Sequence, residues 1–346
     1  MLYDCCVIGN GLMGASIALE LARRFRNICV LGALYGDQGK YYSSHEDDSR
    51  IARTWHADSF WQDLTCRNFR MLETLAAATG IEVFRATPVV YRYARESVPE
   101  SSAVRRRSSQ GGKGPACSFS FEDVYGGIID PKLYIAALNQ EARAHGATIV
   151  RRAAESICWE NGNAIIRTRE GDVSSRRIVD ARGVLFQQTG RKIEAEVIAK
   201  VLFYAESDLH DEDETFCFID TECQSDIFND MYGIWKYRRG HSSVTSKFGF
   251  TERVPVRLNS PHAITAWFQT DYCRYPYLEA GKALLSRLYS GKSHQVTVKP
   301  CAFVVTPNKR PAMIFEERYA AVTGCNGMAA KCCQALAQDF VNHWTT

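Results

Sequence analysis

The stretch YDCCVIGNGLMGASIALELARRFRNICVLG, residues 3–32, decides the fold. Its apolar run over residues 3–8 predicts a buried strand, and the apolar positions of residues 15–25 recur with helical periodicity. A second apolar run, residues 28–31, predicts another strand. The order strand, tight turn, helix, strand therefore predicts a βαβ unit at this end of the sequence.

Three glycines in the turn match the fingerprint G-x-G-x-x-G. Gly9 permits the tight turn, Gly11 lets the backbone approach a pyrophosphate, and Gly14 lets the helix pack closely on the strand. The N-terminus of the helix offers free N–H groups and a partial positive charge to phosphate oxygens. We therefore predict that Gly9, Gly11, Leu12, Met13 and Gly14 bind a dinucleotide.

One part of the fingerprint is missing. An acidic residue normally follows the second strand and binds the adenosine ribose, but Gly32 stands there and Asp37 lies several residues later. The ribose must be recognised in another way or weakly, and loose cofactor binding stays open.

Composition describes an ordinary globular chain of 346 residues, 46% hydrophobic and 23% charged. This length indicates two domains or one large α/β unit. A net charge of +3 does not favour a nucleic-acid or membrane surface. No apolar run approaches the roughly 18 residues that a membrane-spanning helix needs, so we expect neither partner.

The 13 cysteines have neither C-x-x-C nor zinc-site spacing. We interpret them as buried thiols of a reducing compartment, with no disulfide framework and no metal site. The sequence enters a strand without a signal-peptide pattern, and a cytoplasmic location is therefore expected.

The rest of the chain alternates helices and strands before a long β-rich part. Residues 60–80 predict an amphipathic helix that ends at Gly80, and Asp130-Pro131 opens another helix. Residues 97–117, rich in Ser, Gly and Arg, are expected to form a surface loop. Residues from about 196 to 300 alternate as strands, and a last strand leads into a helix from about Lys331 to Trp344. This layout favours FAD over NAD, because NAD enzymes of this size usually complete one contiguous Rossmann domain.

A charged run, SSHEDDSRIARTW (residues 43–55), follows the βαβ unit. Its two arginines, Arg50 and Arg53, are three positions apart, which would place them on one side of a helical turn. Taken alone, such a run is more typical of a solvated face with local salt bridges.

Six segments in family order resemble the D-amino-acid-oxidase superfamily of FAD oxidoreductases, most closely the monomeric sarcosine oxidase branch. They are VIGNGLMGASIALELA, SHEDDSRIAR, GGIIDPKLYIAAL, RRIVDARG, SKFGF and VTGCNGMAAK. The resemblance implies a mixed α/β fold like that of glutathione reductase and D-amino-acid oxidase. It combines a Rossmann-like FAD-binding domain (residues 1–84, 142–196 and 303–346) with a β-rich substrate domain (residues 85–141 and 197–302).

The resemblance also implies contacts with FAD. Ser44, His45 and Ser49 would lie along the cofactor, and Arg50 would lie on one face of the flavin, where its charge favours the anionic reduced ring. The helix after Gly324 and Gly327 would direct its N-terminus at the ring. Further cofactor contacts are implied at Ala154, Gly183, Met328 and Lys331.

For the substrate, the resemblance implies that Arg53 binds a carboxylate bidentately and that Lys331 is its second ligand. Lys247 would lie across the flavin from Arg50, where a cation promotes electron transfer to dioxygen. Trp235 and Tyr237 would line the substrate cavity. The alternatives are a solvent-facing Lys331 and an outward strand lysine at Lys247.

Two departures from the branch bear on chemistry. The position that carries the covalent flavin link in many members is Phe303 here, so non-covalent FAD is expected. Cys301, two residues away on the same strand face, is the alternative attachment point. A substrate-cavity histidine is replaced by Thr251, which argues against sarcosine itself as the substrate.

The sequence therefore predicts an FAD-dependent oxidase of an amino or imino acid, reoxidised by dioxygen, that acts as a monomer or weak homodimer. Its small substrate would carry a carboxylate and an amine, and a biosynthetic role is as open as a catabolic one. The alternatives are a dehydrogenase of the same fold with another electron acceptor, a nicotinamide-dependent reductase, and a degenerate protein without catalytic activity.

Overall fold

A computed structural model describes residues 1–32, 49–92, 104–106, 121–207, 215–222, 225–239, 243–288 and 296–345. Ser44, His45 and Asp37 lie outside these residues, as does the predicted loop 97–117 apart from Val104–Arg106. No helix in the described ranges is both long enough and apolar enough to cross a bilayer.

The strands are β1 Leu2–Tyr3, β2 Cys5–Ile8, β3 Ile28–Leu31, β4 Arg50–Ala52, β5 Phe84–Ala86, β6 Val89–Arg92, β7 Val104–Arg106, β8 Phe121–Asp123, β9 Gly127–Ile129, β10 Thr148–Val150, β11 Ser156–Glu160, β12 Asn163–Arg167, β13 Val173–Ser175, β14 Ile178–Asp180, β15 Glu196–Ser207, β16 Phe216–Asp220, β17 Phe228–Arg239, β18 Ser243–Glu252, β19 Val296–Val305, β20 Ala312–Phe315 and β21 Tyr319–Thr323. The helices are α1 Leu12–Ala22, α2 Ser59–Thr79, α3 Pro131–Ala144, α4 Pro261–Gln269, α5 Leu278–Leu288 and α6 Ala329–Thr345, with 3₁₀ segments at Gly183–Thr189 and Asp271–Arg274.

The predicted βαβ unit forms the centre of a sheet with the strand order β10-β3-β2-β14-β21-β20. Its neighbours are parallel except at β20. Side chains of β2 alternate between the two faces, as strand geometry requires. Cys5 and Val7 pack among the helices α1, α2, α3 and α6, whereas Cys6 and Ile8 pack against β12 and β13 of a second sheet, β1-β13-β12-β11.

Helix boundaries follow local capping chemistry. The Asp58 carboxylate accepts a hydrogen bond from Phe60 N at the start of α2, and Gly80 ends that helix with φ +69°. Asp130 caps α3 in the same way and Pro131 occupies its first turn. Both predicted helices are thereby confirmed. α3 packs in the same core as α1, although residues 131–141 were expected with the substrate domain.

The β-rich part forms a larger sheet with the order β19-β15-β18-β17-β16-β6-β8-β7. One face is apolar and is covered by α4 and α5, with Phe203, Phe250, Trp267 and Leu285 in its core. On the other face, alternate residues of β15, β17, β18 and β19 point to a cavity. A strand face with polar side chains at these positions is therefore available to a ligand.

The predicted helical turn at Arg50 and Arg53 is wrong. Arg50–Ala52 is the strand β4, which pairs with β9 so that Arg50 lies opposite Ile129. Pairing with a neighbouring strand satisfies the backbone here, which the local i, i+3 spacing does not reveal.

The turn from β2 into α1 has no room for a side chain. A Cβ at Gly14 would lie 1.7 Å from the Gly9 carbonyl oxygen, and Gly9 itself has φ +105° with a Cβ position 2.5 Å from the Ala181 oxygen. Close packing of helix on strand therefore requires glycine at both positions.

We expect Gly14→Ala to destabilise the protein by about 2–3 kcal/mol through this overlap, although alanine inside a helix normally stabilises by about 1 kcal/mol relative to glycine. The measurement is the free energy of unfolding in urea. Gly80→Ala is the control: no atom lies within 4 Å of its Cβ position, so only its left-handed backbone costs stability, about 1 kcal/mol. A Gly14→Ala protein as stable as the wild type would contradict the close approach.

Candidate functional site

A cavity of about 890 Å³ lies where the carboxyl ends of β2, β3, β14 and β21 meet the polar face of the larger sheet. In open α/β sheets, ligands bind outside the carboxyl ends of the parallel strands, at the point where the strand order reverses. The volume is within the range of cofactor and substrate sites. It exceeds what a small substrate alone requires.

One end of the cavity is built by the glycine turn. Gly9, Gly11, Leu12 and Met13 line it, together with Ala154. Gly14 does not reach the cavity but lies behind it, against Gly9. The first N–H groups of α1 have no side-chain cap at Gly11, so they are available to an anionic ligand.

A second glycine turn also lines the cavity. Gly183, Gly324 and Gly327 line the cavity, and the last two have φ of +73° and +74°. The turn is tied to β19 by Asn326, whose backbone N–H donates to the Val304 oxygen at 3.1 Å and whose side-chain oxygen accepts from Thr306 N at 3.1 Å. This fixes the approach of α6 to the cavity.

Met328 is not among the residues that line the cavity. Its sulfur lies 3.9 Å from Lys331 Nζ, and its backbone N–H donates to the Cys325 oxygen at 2.7 Å. Met328 therefore contacts Lys331, which lines the cavity, rather than lining the cavity itself as predicted.

The segment that carries Arg50 and Arg53 is anchored by buried groups of the larger sheet. The Asp123 carboxylate, 0% exposed, accepts hydrogen bonds from Thr54 N, Thr54 Oγ1 and Trp55 N at 2.6, 2.8 and 2.9 Å. Lys247 Nζ donates to the Ser49 carbonyl oxygen. Both ends of the segment are thus held against one sheet.

These anchors bring cations from distant parts of the sequence to one cavity. Arg50, Arg53, Lys247 and Lys331 all line it. Burial, together with the nearby Arg53 guanidinium, lowers the pKa of Lys331 to about 7. Within the described residues, Arg53 Nε is buried without a hydrogen-bond partner. A bound anion would both pair with Arg53 and favour the charged form of Lys331.

Sequence reasoning missed His56, which lies beside this pair. The ring is buried, and its Nε2 lies 3.3 Å from Thr65 Oγ1. Burial, and after it the charges of Arg53 and Lys331, hold the pKa of His56 far below its usual range. The imidazole is therefore neutral and adds no further charge. No pattern in the sequence distinguishes it from an ordinary core histidine.

Asp230 and Tyr232 were also missed. Both belong to β17 and line the cavity, and Asp230 lies opposite Thr251 of β18. Burial raises the pKa of the Asp230 carboxyl. Their period-2 spacing, applied across the strand pair from Lys247, could have pointed to this face. Asp230 therefore adds an acidic side chain to the cavity wall that the cations also line.

Trp235 was expected at the substrate cavity, but the structure places it in the apolar core of the larger sheet. Its ring packs against Phe216 and Phe248, with centroid distances of 6.1 and 6.3 Å. The pairing of β17 with β18 is irregular between Ile234 and Tyr237, and Lys236 has φ +47°, so simple alternation fails here. The side chain of Tyr237 lies outside the described part of the structure.

Ser49, Cys301 and Phe303 line the cavity as well. The Ser49 hydroxyl is buried and has no hydrogen-bond partner among the described residues. Cys301 and Phe303 share a face of β19, as their i, i+2 spacing predicts.

Solved structures with this fold include amino acid oxidases and an amino acid dehydrogenase. NikD, an unusual amino acid oxidase essential for nikkomycin biosynthesis, has a TM-score of 0.73 at 17% identity, with 97% of this chain and 94% of that chain covered. L-Proline dehydrogenase from P. horikoshii has a TM-score of 0.74 at 16% identity, covering 98% and 92%. Glycine oxidase from Geobacillus kaustophilus has a TM-score of 0.66 at 15% identity, covering 100% and 96%. At these identities the similarity shows the fold.

A comparison with curated protein sequences finds no match. The sequence profile of the FAD dependent oxidoreductase (DAO) family matches residues 4–206, more than half of the chain. These residues contain the glycine turn, the arginine segment and most of the first sheet. The chain therefore belongs to the DAO family of FAD-dependent oxidoreductases.

Proposed function

We propose that this protein is an oxidase of a small amino or imino acid, with Arg53 and Lys331 as the ligands of the substrate carboxylate. The observation that carries the proposal is the presence of these two cations at one cavity that also contains both glycine turns. A dinucleotide and an acidic amine together would fill such a cavity.

The residues present fit FAD. Gly9, Gly11 and the start of α1 would hold the pyrophosphate, because both glycines line the cavity and the first N–H groups of α1 have no side-chain cap. The buried Ser49 hydroxyl lacks a partner that a ligand would supply. FAD bound here would supply the redox chemistry, a two-electron oxidation of the substrate amine to an imine with the electrons passed on to an acceptor.

The cations would orient the substrate by its carboxylate. A guanidinium binds a carboxylate in a bidentate geometry, which limits how the α-carbon can be presented. The concentration of positive charge also favours the neutral form of the substrate amine, because a second ammonium would be repelled. Only the neutral amine has the lone pair that oxidation of the C–N bond requires.

Asp230 supports a substrate with an N–H group. Its carboxylate is the acidic side chain at the cavity wall formed by β17, facing the same space as Tyr232. A carboxylate accepts hydrogen bonds and does not donate them when ionised. Cations for the acid end and an acceptor for the amine end match the two functional groups of an amino acid.

Lys247 is our candidate for the reaction with dioxygen. A fixed, buried cation stabilises the superoxide that develops when one electron is transferred, and Lys247 is 6% exposed on the cavity wall. The fold also occurs in a dehydrogenase, so another electron acceptor is the second candidate. FAD is proposed to bind without a covalent link, with Cys301 as the alternative attachment point. We further propose a cytoplasmic monomer or weak homodimer.

The proposed function is tested first by the purified protein itself. We expect a flavin absorption spectrum, release of FAD on acid precipitation, and anaerobic bleaching by members of a panel of amino and imino acids. The matched 2-hydroxy acids should bleach poorly, because they lack the amine. Flavin that remains in the precipitate would instead indicate the Cys301 link, and a protein reduced by no amine in the panel would contradict the proposal.

Binding of a simple carboxylate such as propionate should depend on pH through Lys331. Below pH 7 the lysine of the free protein is charged, and above it a proton must be taken up on binding, because the anion raises the lysine's lowered pKa. The dissociation constant should therefore rise above pH 7 by up to about tenfold per pH unit. The measurement is a titration followed by the flavin spectrum.

Lys331→Met should weaken this binding and flatten its pH dependence, whereas Lys192→Met, a change at an exposed lysine, should alter neither. Arg53→Met should weaken binding by about 30-fold or more, since a buried charged hydrogen bond contributes about 2 kcal/mol or more. If the dissociation constant of propionate in the wild type did not change with pH, Lys331 would not be a ligand of the carboxylate.

Lys247→Met should slow reoxidation of the reduced protein by dioxygen by about 100-fold, the usual effect of removing one preorganised electrostatic group. Stopped-flow absorbance measures this step apart from reduction by substrate. Lys247→Arg, which retains a cation and a donor to the Ser49 oxygen, is the matched control and should retain much of the rate. Slow reoxidation of the wild type that Lys247→Met leaves unchanged would favour the dehydrogenase.

A further inference from the structure

The position where an acid normally binds the adenosine ribose is physically closed in this protein. Gly32 directly follows β3 and lines the cavity. A Cβ there would lie 2.7 Å from Asn10 N and 3.0 Å from Asn10 Cβ. Such contacts are shorter than van der Waals distances, so an aspartate or glutamate could enter only if the turn moved.

Asn10 occupies the space next to this position. It stands between Gly9 and Gly11, lines the cavity, and is 5% exposed. Within the described residues, neither Oδ1 nor Nδ2 of its amide has a hydrogen-bond partner. Buried polar groups are almost always paired, and an unpaired one is costly. A cavity-lining amide in this condition indicates a polar ligand.

The chemistry of the amide restricts that ligand. A carboxylate only accepts hydrogen bonds, whereas an amide presents an acceptor oxygen and a donor nitrogen. A ribose hydroxyl also donates and accepts, so it can use either atom. A hydrogen-bonded pair of an amide and a hydroxyl is neutral, so it needs no counter-ion when it is buried.

We propose that Asn10 recognises the ribose of the FAD adenosine, in place of the acid that is missing at Gly32. The proposal rests on the cofactor of the family and is independent of the substrate proposed above. Asn10 is thereby a cofactor-binding residue at a variable position of the glycine fingerprint. The backbone N and Cβ of the residue whose amide would bind the ribose are also the atoms that exclude a side chain at position 32.

Glu155 is the rival ligand, since it also lines this cavity. Its carboxylate is half-exposed and already pairs with Arg169, with Oε1 at 2.7 Å from Arg169 Nε. Its hydrogen-bonding capacity is therefore met in part by the protein and by water, unlike that of the Asn10 amide. The two hypotheses differ in the variant expected to lose FAD affinity: a change at Asn10 if Asn10 binds the ribose, and a change at Glu155 if Glu155 does.

The experiment titrates FAD into the flavin-free protein and follows quenching of flavin fluorescence, which reports binding without turnover. Asn10→Ala should raise the dissociation constant by roughly 10- to 100-fold, the effect of one or two hydrogen bonds at a buried site. Asn10→Asp, which retains an acceptor for the hydroxyl, should bind FAD more tightly than Asn10→Ala. Glu155→Gln should bind FAD within about threefold of the wild type.

A second titration separates ribose recognition from a structural role of Asn10. The ligands are FAD analogues that lack the adenosine 2′- or 3′-hydroxyl, and FMN, which has no adenosine. The wild type should lose affinity for at least one deoxy analogue, whereas Asn10→Ala should bind that analogue and FAD equally. FMN affinity should be the same in both proteins.

Three results would overturn the proposal. They are unchanged FAD affinity in Asn10→Ala, an equal loss for FAD, both analogues and FMN, and a loss in Glu155→Gln that exceeds that in Asn10→Ala. None of them depends on whether an amino acid reduces the flavin, so the proposed oxidase activity stands or fails separately.

Discussion

The approach of α1 to the end of β2 is the constraint on which the remaining structure depends. With only hydrogen atoms at Gly9 and Gly14, the helix starts directly beneath the strand and its free N–H groups reach the cavity. The same turn directs Asn10 against Gly32. Helix packing, phosphate approach and the closing of the usual ribose site are therefore consequences of one backbone geometry.

The chemistry of the site depends on side chains that the first sheet, with its helices, and the larger sheet bring to one cavity. Arg50 and Arg53 belong to a segment that follows the first sheet in sequence, yet Asp123 and Lys247 of the larger sheet anchor it. Lys331 reaches the same cavity from the start of α6. A substrate site between two such layers can be altered on the β-rich side without changing the cofactor side.

Holding several cations in one cavity costs free energy, and a bound anion would offset that cost. Burial and Arg53 together lower the pKa of Lys331 to about 7, and His56 stays neutral beside them. A bound carboxylate would reverse that repulsion, so affinity and selectivity arise from the same desolvated groups. Asp230 places an acidic side chain at the wall formed by β17, where it could accept a hydrogen bond from the N–H group of an amine.

The sequence by itself determined the elements whose signals are local: the βαβ unit, the α2 helix ended by Gly80 and the α3 helix opened by Asp130-Pro131. Spacing and glycine chemistry are sufficient for these, because their hydrogen bonds close within a few residues. The prediction of a helical turn from Arg50 to Arg53 and of Trp235 as a cavity residue was wrong. Asn10, His56 and Asp230 were not predicted as residues of the site. Those positions are decided by pairing with β9, by an irregular register between β17 and β18, and by burial against distant segments. Such contacts join residues far apart in the chain, so only the tertiary structure sets them.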